Sequence, residues 1–285
     1  RGVECNSVRI FTSAFVLASA ALAVVLGARG GVAGQAPVYR GGVDLVNFGV
    51  TVTDRRGALV SDLSVDDFDV FEDGRRQVIR FFAGATGPAP EMHIGLLLDV
   101  SGSMERDIAF ARTACIRFLN TLTEAVDVTL VDFDSEVRTT RYDPGDFPRL
   151  IERVRSQKTR GETALFDAIG LYLDGASAQT GRKIMLLYTD GGDTRSAIRF
   201  PELLDLIRAS DVTIYGIGIL DRQSMIATGD QQFVLRRITE LTGGRVFFPP
   251  SVKELDRVYE QVAAEIRVQY TLGYLSTNEK TDGGW

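Results

Sequence analysis

From Ile94 onward, short and wholly apolar segments alternate with longer ones whose apolar residues recur every three or four positions. The short segments suit strands buried on both faces and the longer ones amphipathic helices. Their alternation is the pattern of a parallel sheet covered by helices on each side. Strands are predicted at residues 94–99, 127–133, 183–189, 212–219 and 245–248. Residues 136–141 follow their predecessor too closely for a crossover, so they are expected as an antiparallel edge strand. Ile108, Ala111, Cys115, Phe118 and Leu122 mark the buried stripe of one helix, and Leu165, Ala168, Ile169, Tyr172 and Leu173 that of another. Further helices are predicted near residues 147–155, 201–209, 232–241 and 252–267. The fold class expected for residues 91–267 is therefore α/β, a doubly wound and mostly parallel sheet with flanking helices.

Upstream of this region the period changes to two. Val46, Phe48, Val50 and Val52 alternate with polar or small residues, as in a half-buried strand, and the turn Asp54-Arg55-Arg56-Gly57 follows. Residues 68–72, the turn pair Asp73-Gly74 and residues 77–82 read together as a hairpin. Ser64-Val65-Asp66-Asp67 resembles a short capped helical turn leading into it. Residues 37–90 are thus expected to form a small β-rich module that ends in a Gly- and Pro-containing linker at 84–90. Tyr270, Leu272 and Tyr274 alternate again. They predict a C-terminal strand within 268–285, cut short after the turn-like Thr281-Asp282-Gly283-Gly284-Trp285, that packs back on the N-terminal module.

Arg9 precedes a mainly apolar run from Ile10 to Leu26, and a Gly- and Ala-rich stretch continues to Ala36. That layout reads as a signal peptide over residues 1–36 or, uncleaved, as an N-terminal membrane anchor near the lower length limit for a span. Either way the remainder is expected to be secreted, periplasmic or held in the cell envelope. Cleavage near Gly34 or Ala36 would remove Cys5 and leave Cys115 alone, which excludes an intrachain disulfide. Cys115 itself reads as a small buried hydrophobe. The net charge of −6, with no block of Lys or Arg, gives no electrostatic footprint for nucleic acid.

In open parallel sheets, ligands bind beyond the carboxyl ends of the strands. The first strand there ends in Asp99-Val100-Ser101-Gly102-Ser103, where Gly102 permits a tight turn that converges one carboxylate and two hydroxyls. A later strand ends in Thr189-Asp190-Gly191-Gly192-Asp193, and Arg160-Gly161-Glu162-Thr163 supplies a hydroxyl just before a helix. Each piece has a bland explanation: Ser-Gly-Ser is an ordinary turn, Thr163 caps a helix, and Asp190 steadies a turn. Their joint appearance at one sheet edge favours a site. These are hard oxygen donors, suited with waters to Mg2+ or Mn2+, with Ca2+ also compatible, rather than to zinc. His93, the single histidine, precedes the predicted strand and reads as structural or exposed. Asp132, Asp134 and Asp193 read as solvated or turn carboxylates.

Taken together, these motifs resemble the von Willebrand factor A family, also called the integrin I-like domain, and its metal-ion-dependent adhesion site. Asp99, Ser101 and Ser103 match the family's first motif, Thr163 its threonine and Asp190 its later aspartate, over residues 92 to about 265. The preceding module, with Val-Asp-Leu-Val and Asp-Phe-Asp-Val-Phe-Glu-Asp-Gly, resembles a bacterial secreted subfamily of the acidobacterial type. The resemblance implies that Ser101, Ser103 and Thr163 bind metal directly, and that Asp99 and Asp190 do so directly or through water. It implies also that a protein partner presents a Glu or Asp to the open coordination position, in adhesion or complex assembly. Glu162 departs from the glycine common beside the threonine, and reads as a solvated loop charge or as a carboxylate that restricts access.

An enzyme is the competing class. A haloacid-dehalogenase-type phosphatase would need a second Asp where Ser101 stands, and neither a Gly-rich phosphate loop nor a Ser/His/Asp set is present. The expectation is a non-enzymatic binding module. A scaffold with a vestigial metal site is the alternative, and a Mg2+-dependent hydrolase a more distant one.

Overall fold

The computed structural model describes residues 45–84, 90–121, 124–219 and 225–277. The segment expected to direct export, most of the linker and the turn at 281–285 lie outside the described residues. The chain forms β1 (Leu45–Val50), β2 (Val70–Glu72), β3 (Arg75–Gln77), β4 (Ile79–Ala83) and β5 (Met92–Asp99). Then come α1 (Ile108–Thr121), β6 (Asp127–Phe133), β7 (Val137–Tyr142), α2 (Phe147–Ser156), α3 (Leu165–Ala176) and β8 (Arg182–Thr189). α4 (Phe200–Arg208), β9 (Val212–Gly218), α5 (Met225–Glu240), β10 (Val246–Phe247), α6 (Val252–Arg267) and β11 (Tyr270–Leu275) complete it.

The large sheet has the order β10-β9-β8-β5-β6-β7. All its pairings are parallel except that of β7, which lies antiparallel on β6 at one edge. The central strands are apolar on both sides because helices cover both faces. Leu96 and Leu98 of β5 pack with residues of α1, α2 and α6, while Leu97 packs with residues of α3, α4 and α5. Full burial of each such leucine contributes about 1.5–3 kcal/mol relative to exposure, so the strand ends are rigidly held.

β5 starts at Met92, so His93 lies inside the strand and is buried rather than exposed. Its Nδ1 lies 2.7 Å from Asp127 Oδ2 and its Nε2 2.8 Å from the Thr180 carbonyl. α5 begins at Met225, well before the expected position 232. The single Gly229 in the added turns costs about 1 kcal/mol relative to alanine and does not stop the helix. Cys115 is fully buried, and burial pushes its thiol pKa up.

The expected hairpin is two structures. β2 and β3 pair around Asp73-Gly74, with Phe71 opposite Arg76, but the second arm ends at Gln77. After Val78 the chain enters β4, which pairs instead with β11. Local periodicity merged β3 with β4 because the partner of β4 lies at the far end of the chain. β11 runs between β1 and β4, antiparallel to both. Its Tyr270, Leu272 and Tyr274 join Phe48, Val50 and Val70 in a third core. The Tyr270 ring lies 5.2 Å from that of Phe68, and its hydroxyl donates to the Val60 carbonyl at 2.9 Å. Among the described residues no helix is long and apolar enough to cross a membrane.

Candidate metal centre

β5 and β8 are neighbours, and the helices that cover them lie on opposite faces, so a crevice opens at their carboxyl ends. Asp99 closes β5 and is fully buried. Its Oδ1 accepts from the Ser101 amide at 2.9 Å and its Oδ2 from the Thr189 hydroxyl at 2.6 Å. Thr189 Oγ1 in turn accepts from the Gly191 amide at 3.0 Å. Burial pushes the Asp99 carboxyl up to about 6; the bonds from Ser101 and Thr189 oppose this, and the nearby Asp190 charge adds to it. Asp190 follows Thr189 directly, is buried, and accepts the Gly192 amide on Oδ1 at 2.8 Å. The Ser101 and Ser103 hydroxyl oxygens lie 3.0 Å apart, with Ser101 buried and Ser103 exposed.

Thr163 arrives on the segment between α2 and α3. That segment is stitched to the β5 loop by the Gly102 amide donating to the Gly161 carbonyl at 3.0 Å and the Arg160 amide donating to Val100 at 2.9 Å. A Cβ on Gly102 would stand 3.1 Å from the Gly161 carbonyl oxygen, which accounts for glycine at that close approach. Thr163 is buried, and its amide and carbonyl are both engaged with the segment after β8: its amide donates to Thr194 Oγ1, and its carbonyl accepts from the Thr194 and Arg195 amides. α3 has Ala164, not Thr163, at its N-cap position, so the capping explanation of this threonine does not apply. The Glu162 side chain is 59% exposed and faces Arg195 at 3.8 Å.

A second pair of acids lies at the same sheet edge, at the end of β6. Asp132 and Asp134, expected as solvated or turn carboxylates, are both buried rather than solvated, and Asp134 does act in a turn, accepting the Glu136 amide at 2.9 Å. Asp132 accepts from Arg138 at 2.6 Å and Arg153 at 3.0 Å, and Asp134 from Arg138 at 2.8 Å and Arg160 at 3.0 Å. Burial alone would raise the Asp134 carboxyl, but bonds from Arg138, the Glu136 amide and Arg160 hold it at about 2. Asp193 accepts the Phe166 amide at 3.2 Å and the Ser196 hydroxyl at 2.6 Å, a structural tie at the start of α3.

Among the described residues neither Asp99 nor Asp190 has an ion-pair partner. The donor set suits a hard divalent cation: two carboxylates short of positive charge beside the hydroxyls of Ser101 and Ser103, with Thr163 on the adjoining segment. Among the described residues no three His, Cys, Asp or Glu side chains converge, so a zinc-type cluster is absent from them.

A family model described as von Willebrand factor type A domain matches residues 93–261. The chain belongs to the von Willebrand factor type A family. Domains of this family commonly serve as protein-interaction or adhesion modules and are generally not enzymes. A von Willebrand factor type A protein from Catenulispora acidiphila is 21% identical with a TM-score of 0.49, over 62% of this chain and 42% of that one. The D319A mutant of the PilB minor pilin from Streptococcus sanguinis is 13% identical with a TM-score of 0.53, over 64% and 63%. The chain thus spans less than two thirds of each, and at 13% identity the likeness to the pilin concerns the fold alone. No curated protein matches the chain by sequence.

Three contributors to the geometry at this sheet edge were not singled out from the sequence. Thr189 orients Asp99, Thr194 holds the Thr163 amide, and Ser135 accepts the Glu162 amide at 2.8 Å. Thr189 carried a usable signal, since a hydroxyl directly after the apolar run 184–188 and directly before Asp190 adds nothing to the hydrophobic core. Ser135 and Thr194 lie in turns where serine and threonine are unremarkable, and nothing local marks them.

Proposed function

We propose that this chain is an extracytoplasmic, metal-dependent protein-binding module acting in adhesion or complex assembly. Asp99, Ser101, Ser103, Thr163 and Asp190 would hold Mg2+, with Mn2+ or Ca2+ as alternatives, and a partner's Glu or Asp would take the remaining coordination position. The observation that carries this reading is the difference between the two acid pairs at one sheet edge. Asp132 and Asp134 are matched by arginines, whereas no base among the described residues faces Asp99 or Asp190. Hydroxyl ligands carry no charge, so a bound dication would keep excess positive charge to offer an incoming carboxylate. Ser103 is exposed and Glu162 turns toward Arg195 and solvent, which supports an open approach. The apolar run at 10–26 supports export, with residues 1–36 as a signal peptide or anchor of a bacterial secreted protein of the acidobacterial type.

Calorimetric titration of the full chain with Mg2+ is the direct test, and saturable binding that disappears in Asp99→Ala is expected. Absence of binding at millimolar metal would sink the mechanism and leave the scaffold reading. Capture of an acidic partner from the native envelope, lost on adding chelator, is the second expected result. Hydrolysis of a generic phosphatase or esterase substrate, lost in Asp99→Ala, would favour a hydrolase instead.

A further inference from the structure

Three consecutive backbone amides on the segment that carries Thr163 are each held from a different direction. The Glu162 amide donates to Ser135 Oγ at 2.8 Å, the Thr163 amide to Thr194 Oγ1 at 3.0 Å, and the Ala164 amide to the Asp134 carbonyl at 2.9 Å. Ser135 and Asp134 belong to the turn between β6 and β7, and Thr194 to the segment after β8, so the clamp closes from both sides. Gly161 makes the approach possible: it adopts φ +69°, and a Cβ there would fall 2.5 Å from Ser135 Oγ. The main chain on both sides of the Thr163 side chain is thus fixed.

We propose that Ser135 and Thr194 are positioning residues that fix Thr163 in the geometry needed for metal coordination. This rests on the metal-binding reading above and adds to it the two hydroxyls that hold the segment carrying Thr163. Each acts through a backbone amide of that segment, Ser135 on Glu162 and Thr194 on Thr163. Ser135 and Thr194 are both exposed, so removing their hydroxyls opens no cavity in the core. Each lost hydrogen bond costs the fold little. Metal affinity is the more sensitive quantity, because groups that orient a ligand typically change it by roughly 10- to 100-fold.

The experiment compares the full-length wild-type chain with Ser135→Ala, Thr194→Val, the double variant and the conservative Thr194→Ser. Calorimetry reads Mg2+ affinity, and amide hydrogen exchange in chelator reads protection at Glu162 and Thr163. Each single loss is expected to weaken Mg2+ binding by roughly 10-fold. The double variant should weaken it further, and Thr194→Ser should stay near wild type. Exchange should quicken at Glu162 in Ser135→Ala and at Thr163 in Thr194→Val, while thermal unfolding in chelator shifts by only a few degrees. Wild-type Mg2+ uptake with unchanged affinity in the double variant would overturn this inference alone. Absence of uptake by the wild-type chain would overturn the metal reading and this inference with it. Unaltered exchange at both amides would remove the clamp itself.

Discussion

Two acid pairs stand at the same edge of one sheet and are treated in opposite ways. Asp132 and Asp134, at the end of β6, are buried under Arg138, Arg153 and Arg160. Asp99 and Asp190, at the ends of β5 and β8, are buried among hydroxyls and backbone amides without a base among the described residues. Burying a carboxylate is expensive unless a charge compensates it. The first pair obtains that charge from the chain itself, so it is a permanent part of the architecture. At the second pair the compensation among the described residues is hydrogen bonding from a hydroxyl and backbone amides, and burial still pushes the Asp99 carboxyl up to about 6. Burial by itself therefore leaves the two pairs alike; the source of the compensation separates them.

Removing the internal compensation should have the largest effect. Arg138 bridges Asp132 and Asp134, and Arg138→Ala leaves buried carboxylates short of charge, a loss of about 3–5 kcal/mol. Urea unfolding would measure it, and a loss below 1 kcal/mol would mean that Arg153, Arg160 and water suffice. Next in size, Asp99→Ala should weaken Mg2+ binding by roughly 100-fold, because a carboxylate that would hold the metal directly or through water is lost and its bonds to Ser101 and Thr189 are not replaced. Retained affinity by calorimetry would move the metal elsewhere.

Asp99 and Asp134 should also respond to pH with opposite signs. Asp99 is held up to about 6, so in chelator the native state keeps a proton that the unfolded chain has already released. Stability should then fall as pH rises from about 4 to 6, and Asp99→Asn should flatten that fall. Asp134, held at about 2, should contribute stability above its unfolded value of 3.8 and lose it as pH drops toward 2. Saturating Mg2+ should remove the Asp99 slope, since a metal-bound carboxylate is ionised, and leave that of Asp134 intact. Unfolding free energies at a series of pH values would decide between one shared slope and two. The smallest effect should be that of Glu162→Gln: its side chain is exposed beside Arg195, so Mg2+ affinity should change by less than about 2-fold. A large gain on this change would identify Glu162 as a gate.

The comparison also marks where sequence reading ends. The alternation of apolar strands and striped helices was legible because both faces of the sheet are buried, and β7 was legible as an edge because its short connection allows no crossover. The motif residues were legible because Asp99, Ser101 and Ser103 are adjacent in the chain. The split of β3 from β4 was not legible, because β11 supplies the partner from the opposite end. The convergence of Arg138, Arg153 and Arg160 on two aspartates was equally hidden, since three elements meet there and no local spacing encodes the meeting. The same holds for Ser135 and Thr194, whose task is defined only by the segment that crosses them.

The pairing of β1 with β11 has a mechanical side. Leu45 lies opposite Leu275 and Val50 opposite Tyr270, so the two ends of this strand pair leave from the same corner. A pull applied between Leu45 and Leu275 would load one residue pair at a time and peel the strands apart, instead of shearing all their bonds together. The small sheet would yield first, its Tyr270 and Tyr274 leaving the third core. Only after β11 had come free would the force reach α6, which ends three residues before it.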